Sequence, residues 1–346
     1  MKKKKIVAIG NLCIPHEMIF EILKQVPAKS LMRFRCVSKS FCSLISEPLF
    51  IEAHQKFSTA QFHVSCSSLT TSKDVIQYLN QSRFSKLHSL ASTNGLVCLW
   101  NFDGDVAVSN PFTQEHIFLP YQQSSITCCS LGFDSTTKKY KVIKAQYLLD
   151  DRDSGKVRYW IYTIGVDKLW REIPDCANIF PAYSFVYIDG VTYCVNRLSE
   201  SYNIAAFSVK NEKLIRMILS PDGVWASKSP PNIVEINGQV ALVDQSNSGG
   251  KVSLYVLNGT GETETWVKHI IALPSELINT KYLPLFKTNP KGEIALPLCT
   301  VLDMFLYDIA KKDWRKVDIH EIYERVHRVS WVGVLLNLVE NIWSLK

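Results

Sequence analysis

The sequence predicts an α+β, multidomain chain: a small N-terminal helical unit followed by an all-β, propeller-like domain of five or six blades. Three observations predict it. Apolar residues recur at helical spacing between residues 14 and 54. From about residue 60, short β-branched and aromatic runs alternate with Gly, Asn, Asp and Pro. Within that second region a glycine-turn-then-strand pattern returns about every 50 residues.

In the helical region Pro15 suits a first helical position, where its missing N–H costs nothing. Met18, Ile19, Ile22, Leu23 and Val26 then follow at three- and four-residue steps and read as one apolar stripe. Pro27 stops this helix and opens the next, in which Leu31, Phe34 and Val37 share a face. Ser38 is placed to cap a third helix carrying Phe41, Leu44 and Ile45, and Pro48 closes it. Three short helices in about forty residues bury little by themselves, so an apolar stripe left over requires a partner.

In the second region four segments begin with a glycine turn and enter a strand: Asn94-Gly95-Leu96-Val97, Asp189-Gly190-Val191-Thr192, Asn237-Gly238-Gln239-Val240 and Lys291-Gly292-Glu293-Ile294. An aromatic residue follows each at 17, 17, 17 and 15 residues: Phe112, Phe207, Tyr255 and Tyr307. Each unit closes on an apolar residue near a turn, often after Trp: Leu119, Ile173 after Trp170, Leu219, Leu273 after Trp266, and Val317 after Trp314. The unit without a glycine turn is assigned to 140–146, 160–165 and 170–173. A period near 50 with this content fits kelch-like blades, small sheets that hide their faces by radial stacking. A β-sandwich with coincidental spacing is the competing architecture. Segments 62–66 and 329–345 are expected to close the ring. The expected division is a basic tail over 1–11, the helical unit over 12–56, a linker over 57–85 and the propeller over 86–346.

Composition narrows the function classes. The 346 residues are 47 % hydrophobic and 21 % charged, ordinary values for folded domains. A net charge of +7 is well short of nucleic-acid-binding density. The basic run at 2–5 is followed by too short an apolar stretch for a secretory leader, and no run of about 18 apolar residues suggests a membrane span. The ten cysteines show no C-x-x-C pair, so buried free thiols in a reducing cytoplasmic or nuclear setting are expected, with no metal and no cofactor.

The run Ile14-Pro15-His16-Glu17-Met18-Ile19-Phe20-Glu21-Ile22-Leu23, followed by Val26-Pro27-Ala28-Lys29-Ser30-Leu31-Met32-Arg33-Phe34-Arg35-Cys36-Val37-Ser38-Lys39-Ser40-Phe41, closely resembles the plant F-box. Ile14, Gln25 and Phe41 stand where that pattern usually has Leu, Arg and Trp. The second region resembles the F-box-associated propeller domain of the same proteins. Asn94-Gly95-Leu96-Val97-Cys98, Ser109-Asn110-Pro111-Phe112-Thr113, Leu131-Gly132-Phe133-Asp134 with Tyr140-Lys141-Val142-Ile143, and Phe305-Leu306-Tyr307-Asp308 with Trp314 carry that likeness. The resemblance implies a substrate receptor of a Skp–cullin–F-box (SCF) ubiquitin ligase. The F-box would bind a Skp-type adaptor and, through it, a cullin, while the propeller would hold a protein target. The residues expected at the adaptor are Ile14, Pro15, Ile22, Leu23, Pro27, Leu31, Val37 and Phe41, with Phe34, Leu44 and Ile45 assigned to internal packing. Residues 24–39 carry Lys24, Lys29, Arg33, Arg35 and Lys39 and no acid, which would steer an acidic partner towards them.

Catalytic patterns are weak. His16-Glu17 does not extend to H-E-x-x-H, and His320, Glu321 and His327 read as a solvated helix. Asp150, Asp151 and Asp153 read as a hairpin turn. Cys36 and Cys42 have only Arg35 and Lys39 nearby to activate a thiolate. The expected role is therefore non-catalytic, with ubiquitin transfer promoted by proximity. The competing function is a stand-alone protein- or glycan-binding module, for which loops 122–130, 147–157, 196–203 and 244–251 are candidates. Trp100, Tyr159 and Trp225 are read as blade packing. Lys138, Lys139, Lys141 and Lys144 beside Tyr140 are read as a solvated strand edge rather than an RNA surface.

Overall fold

The computed structural model describes residues 6–9, 12–65, 89–122, 126–147, 157–176, 179–197, 202–222, 224, 230–245, 250–259, 261–278, 286–288, 292–297, 303–318 and 341–345. A two-stranded hairpin, β1 (Ile6–Ile9) with β2 (Leu12–Pro15), leads into four helices: α1 (His16–Leu23), α2 (Ala28–Phe34), α3 (Lys39–Ile45) and α4 (Pro48–Ser65). The two prolines mark the helix starts, but Pro15 stands at the N-cap, one residue before the first helical position expected for it. Pro15 and Pro27 hold extended φ/ψ immediately before α1 and α2 and end the preceding segment. Ser38 caps α3 by accepting from the Phe41 N–H at 3.1 Å.

Five four-stranded antiparallel blades follow among the described residues, each built from consecutive strands. The first is β3 (Ser89–Thr93), β4 (Leu96–Trp100), β5 (Val106–Asn110) and β6 (Glu115–Phe118). The second is β7 (Ile126–Asp134), β8 (Lys139–Tyr147), β9 (Val157–Thr163) and β10 (Arg171–Ile173). The third is β11 (Pro181–Ile188), β12 (Val191–Arg197), β13 (Tyr202–Ser208) and β14 (Lys213–Leu219). The fourth is β15 (Asn232–Ile236), β16 (Gln239–Asp244), β17 (Lys251–Asn258) and β18 (Thr265–Ala272). The fifth is β19 (Lys287–Thr288), β20 (Ile294–Pro297), β21 (Asp303–Asp308) and β22 (Asp313–Asp318). The predicted repeat is thus a propeller, with five blades among the described residues.

The glycine turns join first and second strands. Asn94, Asp189 and Asn237 take φ of 49°, 44° and 51°, and the glycine after each also has positive φ. Two successive left-handed residues match the twist of a tight hairpin, and Asn-Gly or Asp-Gly supplies them at least cost. The second blade lacks this turn. There the Asp134 carboxylate accepts the N–H groups of Thr136 and Thr137 at 2.9 and 3.3 Å and shapes a longer loop.

Hydrophobic clusters fill the junctions between consecutive blades rather than the blades themselves. Leu96, Val108 and Trp100 meet Leu131, Tyr140 and Val142 between the first two. Ile143, Ile161 and Tyr159 meet Cys194 and Phe207 at the next junction, and Val195 and Ile204 meet Leu242 and Tyr255 at the third. Val243, Leu254 and Ile271 meet Ile294, Phe305 and Tyr307 between the last two. The tryptophans that mark the repeat staple neighbouring blades. Each indole Nε1 donates to a carbonyl at the end of the preceding blade: Trp170 to Pro120 at 2.7 Å, Trp266 to Leu219 at 3.0 Å, and Trp314 to Ala272 at 2.7 Å. Innermost strands β3, β7, β11, β15 and β19 line a narrow axial channel of about 110 Å³.

Several expectations are corrected. Residues 62–65 continue α4 instead of forming a ring-closing strand. Of the segment 329–345, residues 341–345 belong to no sheet and 329–340 lie outside the described residues, while each described blade is completed by its own four strands. Residues 6–9 form a strand inside the expected tail, because Val7 pairs in register with Ile14. Phe112 is not the counterpart of Phe207, Tyr255 and Tyr307. Those lie on third strands, whereas Phe112 follows β5 in a turn and packs against the helical core. Lys141 and Lys144 are buried on an interior strand rather than solvated at an edge.

Candidate functional site

Ile19, Leu23, Ala28, Leu31, Leu44, Ile45, Phe50 and Ile51 form the core of the helical unit. This core uses only one face of α1. Met18 and Ile22, one turn apart, point the other way and are 55 % and 54 % exposed. Val37, after α2, is 67 % exposed, and Phe34 also faces water, with its ring edge-on to Phe41 at 6.1 Å. The helical unit therefore carries more apolar surface than its own core consumes. Isolated exposed apolar residues are ordinary, whereas Met18 and Ile22 form a second apolar face on one short helix.

The sequence-predicted residues divide between the two faces. Pro15, Ile22, Pro27 and Val37 are exposed, and Ile14 and Phe41 are half-buried. Leu23 and Leu31 turn inward, at 6 % and 0 % exposure, and belong to the core instead. Phe34, assigned to the interior, is outside, whereas Leu44 and Ile45 are buried as expected. Met18 and Leu49 are the exposed apolar residues that the sequence reading missed. The signal for Met18 was present: six apolar residues in the nine positions from Met18 to Val26 make too wide an arc for one small core. Lys29, Arg33 and Lys39 are exposed around this surface, while Lys24 pairs with Glu21 at 2.5 Å.

Blade topology separates the chain's two surfaces. Antiparallel strands send alternate turns to opposite faces of the ring. Turns joining first to second and third to fourth strands lie on the face that meets the helices. There Gln55 of α4 donates to the Asn94 carbonyl at 3.1 Å, Glu52 pairs with Lys138 at 2.6 Å, and Phe112 enters the helical core. Connections between second and third strands, and between blades, leave from the opposite, distal face. The candidate loops beginning at Tyr147, Asn196 and Asp244 are of the first kind, and the one beginning at Gln122 is of the second. The described ends of all four therefore lie on the distal face, away from the helices. Within them 126–130 is strand β7, while 123–125, 148–156, 198–201 and 246–249 lie outside the described residues.

The remaining chemistry-bearing groups are engaged in structure. Trp100 and Tyr159 are buried, the latter donating to the Ile179 carbonyl at 3.2 Å; Trp225 lies outside the described residues. Lys141 meets Asp134 at 3.2 Å and Glu212 at 2.8 Å, and Arg171 forks onto Glu212 at 2.6 and 3.0 Å, tying the second blade to the third. Arg171 holds the Glu212 carboxyl below its ordinary value. Burial works to raise Asp134, but hydrogen bonds from Thr137 and Thr136 outweigh it and leave the carboxyl lowered. Lys144 lies 5.3 Å from the Trp170 ring, and burial pulls its pKa down. A cleft of about 580 Å³ opens between the fourth and fifth blades on the helix-facing side. Its charged groups are paired, Arg315 with Glu293 at 2.9 Å and Lys311 with Asp308 at 3.0 Å. Cys36 is exposed and Cys42 half-buried; Cys98, Cys128, Cys129, Cys176 and Cys194 are buried and form no disulfide. Burial pushes the Cys128 thiol up to about 12, the reverse of an activated nucleophile. Among the described residues no group of three or more His, Cys, Asp and Glu side chains could hold a metal ion, and no helix is long and apolar enough to cross a membrane. His320, Glu321, His327, Asp150, Asp151 and Asp153 lie outside the described residues.

Family comparison agrees with this architecture. Residues 11–52 match the F-box domain, and residues 39–339 match the F-box associated beta propeller domain. The chain belongs to the F-box associated β-propeller family. F-box protein At2g40925 of Arabidopsis thaliana is 24 % identical over 92 % of this chain and 91 % of its own length. F-box protein At2g21930 of the same plant is 28 % identical over 98 % of this chain and 96 % of its own. F-box/kelch-repeat protein At4g19930, also of Arabidopsis thaliana, is 25 % identical over 96 % and 90 %.

Proposed function

We propose that this chain is the substrate-recognition subunit of an SCF-type ubiquitin ligase. The helical unit docks on a Skp-type adaptor, and through it on a cullin. The distal face of the propeller holds a protein target. The observation that carries this reading is the second apolar face of the helices, Met18, Ile22 and Val37, set on the opposite side of the ring from the distal loops. Exposed apolar side chains supply the buried anchors that dominate interface energies, and the basic residues around them steer an acidic partner. The chain itself contributes no chemical group to transfer. It raises the effective concentration of a target lysine near a charged conjugating enzyme, in the cytoplasm or nucleus.

The test is co-precipitation of a Skp-type adaptor and cullin by the full chain and by the double variant Ile22→Asp, Val37→Asp. Circular dichroism must show the variant folded. Capture by the wild type and its loss in the folded variant are expected. A wild type that captures no adaptor overturns the reading and leaves a stand-alone protein- or glycan-binding module.

A further inference from the structure

Segment 341–345 lies between the helices and the first two blades and is held on both sides. The Asn341 side-chain nitrogen donates to the Asn94 carbonyl at 2.6 Å and contacts the Tyr140 hydroxyl at 3.0 Å. Its side-chain oxygen accepts the Trp343 N–H at 2.6 Å. Asn110, at the end of β5, donates to the carbonyls of both Asn341 and Trp343, at 2.9 and 3.0 Å. The Glu115 carboxylate accepts from the Ser344 hydroxyl at 3.2 Å and the Leu345 N–H at 2.8 Å.

The apolar side chains split between two cores. Ile342, 2 % exposed, belongs to the helical core with Leu31 and Phe50. Leu345 belongs to the core between the first two blades, and Trp343 packs against both. The Trp343 ring meets Phe133 and Tyr140 at 6.2 and 5.8 Å between centroids. The segment is thus a plug shared by two hydrophobic cores that the chain otherwise builds separately.

Without it, the helices hold the propeller by less. Among the described residues the direct ties are the bonds of Gln55 to Asn94 and to the Tyr140 hydroxyl and the partly exposed Glu52–Lys138 pair, with Phe112 as the apolar contact. Surface pairs of that kind contribute little and are screened by salt. Buried amide bonds around Asn341 are directional and sit where water does not compete.

We propose that Asn341 and Ile342 are positioning residues: segment 341–345 locks the helical unit to the first two blades as one body and so fixes the bearing of the distal face. The lock is a statement about this chain alone. Its consequence for ubiquitin transfer rests on the adaptor reading above, because proximity catalysis depends on where the held target points.

The experiment uses the full chain as wild type, Asn341→Ala, Ile342→Ser and the conservative Ile342→Val. Small-angle scattering reads the pair-distance distribution, and amide exchange reads α4 and residues 94–110. Asn341→Ala and Ile342→Ser are expected to broaden the distribution and to lower protection at that junction at least tenfold, with β15–β18 unchanged. Ile342→Val is expected to match the wild type. In a reconstituted adaptor–cullin assembly the chain's own lysines serve as acceptors, mapped by peptide mass. The loosened variants are expected to spread modification over more lysines with adaptor affinity held within twofold, a split that simple misfolding would not give. Unchanged scattering and protection in both loosened variants overturn the lock. If Ile342→Ser unfolds the helices, Asn341→Ala decides alone, since it removes only polar bonds. A wild type that captures no adaptor overturns the functional reading, while scattering and exchange still decide the lock.

Discussion

The indole Nε1 of Trp314 donates to the carbonyl oxygen of Ala272 at 2.7 Å, across the junction of the fourth and fifth blades. The same bond recurs from Trp170 to Pro120 and from Trp266 to Leu219. Each reaches from one blade's outer strand region to the end of the preceding blade. Radial stacking buries apolar area but is non-directional, so a bond of this kind fixes how far one blade rotates against the next.

Trp314→Phe keeps much of the ring contact with Tyr307 and Phe305 and deletes the donor. Ala272 is exposed and its carbonyl turns to water, so the expected loss is about 0.5–1.5 kcal/mol of stability, read from the urea midpoint at unchanged slope. A midpoint shift no larger than that of a surface substitution would show that stacking alone aligns these blades.

Lys141 is 5 % exposed and supports two carboxylates, Asp134 and Glu212, from different blades. Lys141→Ala leaves Asp134 buried without its cation, and such a broken buried pair costs roughly 3–5 kcal/mol. Both carboxyls have folded pKa values lowered from the ordinary range. Lowered carboxyls stabilise above their unfolded pKa of about 4, and that stability is lost as pH falls through the lower folded values. Wild-type stability should therefore drop below about pH 4, and Lys141→Ala should reduce this slope only in part, because Thr137 and Thr136 at Asp134 and Arg171 at Glu212 supply the larger share. A Lys141→Ala profile that keeps the full acid slope would remove Lys141 from the account.

At alkaline pH the slope reverses, and stability falls as pH rises. Burial raises Tyr140 to about 12 and Cys128 to about 12, and Cys129 and Cys194 also move up. The unfolded chain releases these protons first, so stability falls as pH rises from about 9 towards 12. Denaturation midpoints measured across that range check it. Cys128→Ser would reduce the slope if its hydroxyl is tolerated at that site. At neutral pH, alkylation should mark Cys36 quickly and the five buried thiols only on unfolding.

Much of this fold was legible because its local chemistry repeats. Asn-Gly and Asp-Gly turns require left-handed backbone, and the spacing of Gly190, Gly238 and Gly292 gave the blade period directly. Pro15, Pro27 and Ser38 marked helix starts for equally local reasons. What failed was long-range. Residues 62–65 are β-rich in composition but extend α4, since tertiary packing overrides propensity. Phe112 fits the aromatic spacing of the blades, yet it serves the helical core. The role of 341–345 depends on partners more than two hundred residues away in sequence, Asn94, Asn110 and Glu115, and no local pattern announces it. For α1 the stripe was visible, but its division between inside and outside was not, because periodicity cannot say how wide an arc one small core will accept.

That division gives a sharp comparison within one helix. Ile19 is 5 % exposed in the core and Ile22 is 54 % exposed outside it, three residues along. Ile19→Asp puts a carboxylate among the apolar side chains of Leu31, Leu44 and Phe50, and should cost several kcal/mol and melt the helical unit. Ile22→Asp places the same charge in water and should change stability by no more than about 0.5 kcal/mol. If Ile22 anchors the adaptor, affinity nevertheless falls at least tenfold in that folded variant, because the charge is desolvated only on binding. Melting and adaptor titration on the two variants therefore separate folding from docking. Equal adaptor affinity in wild type and Ile22→Asp would remove this face from the interface.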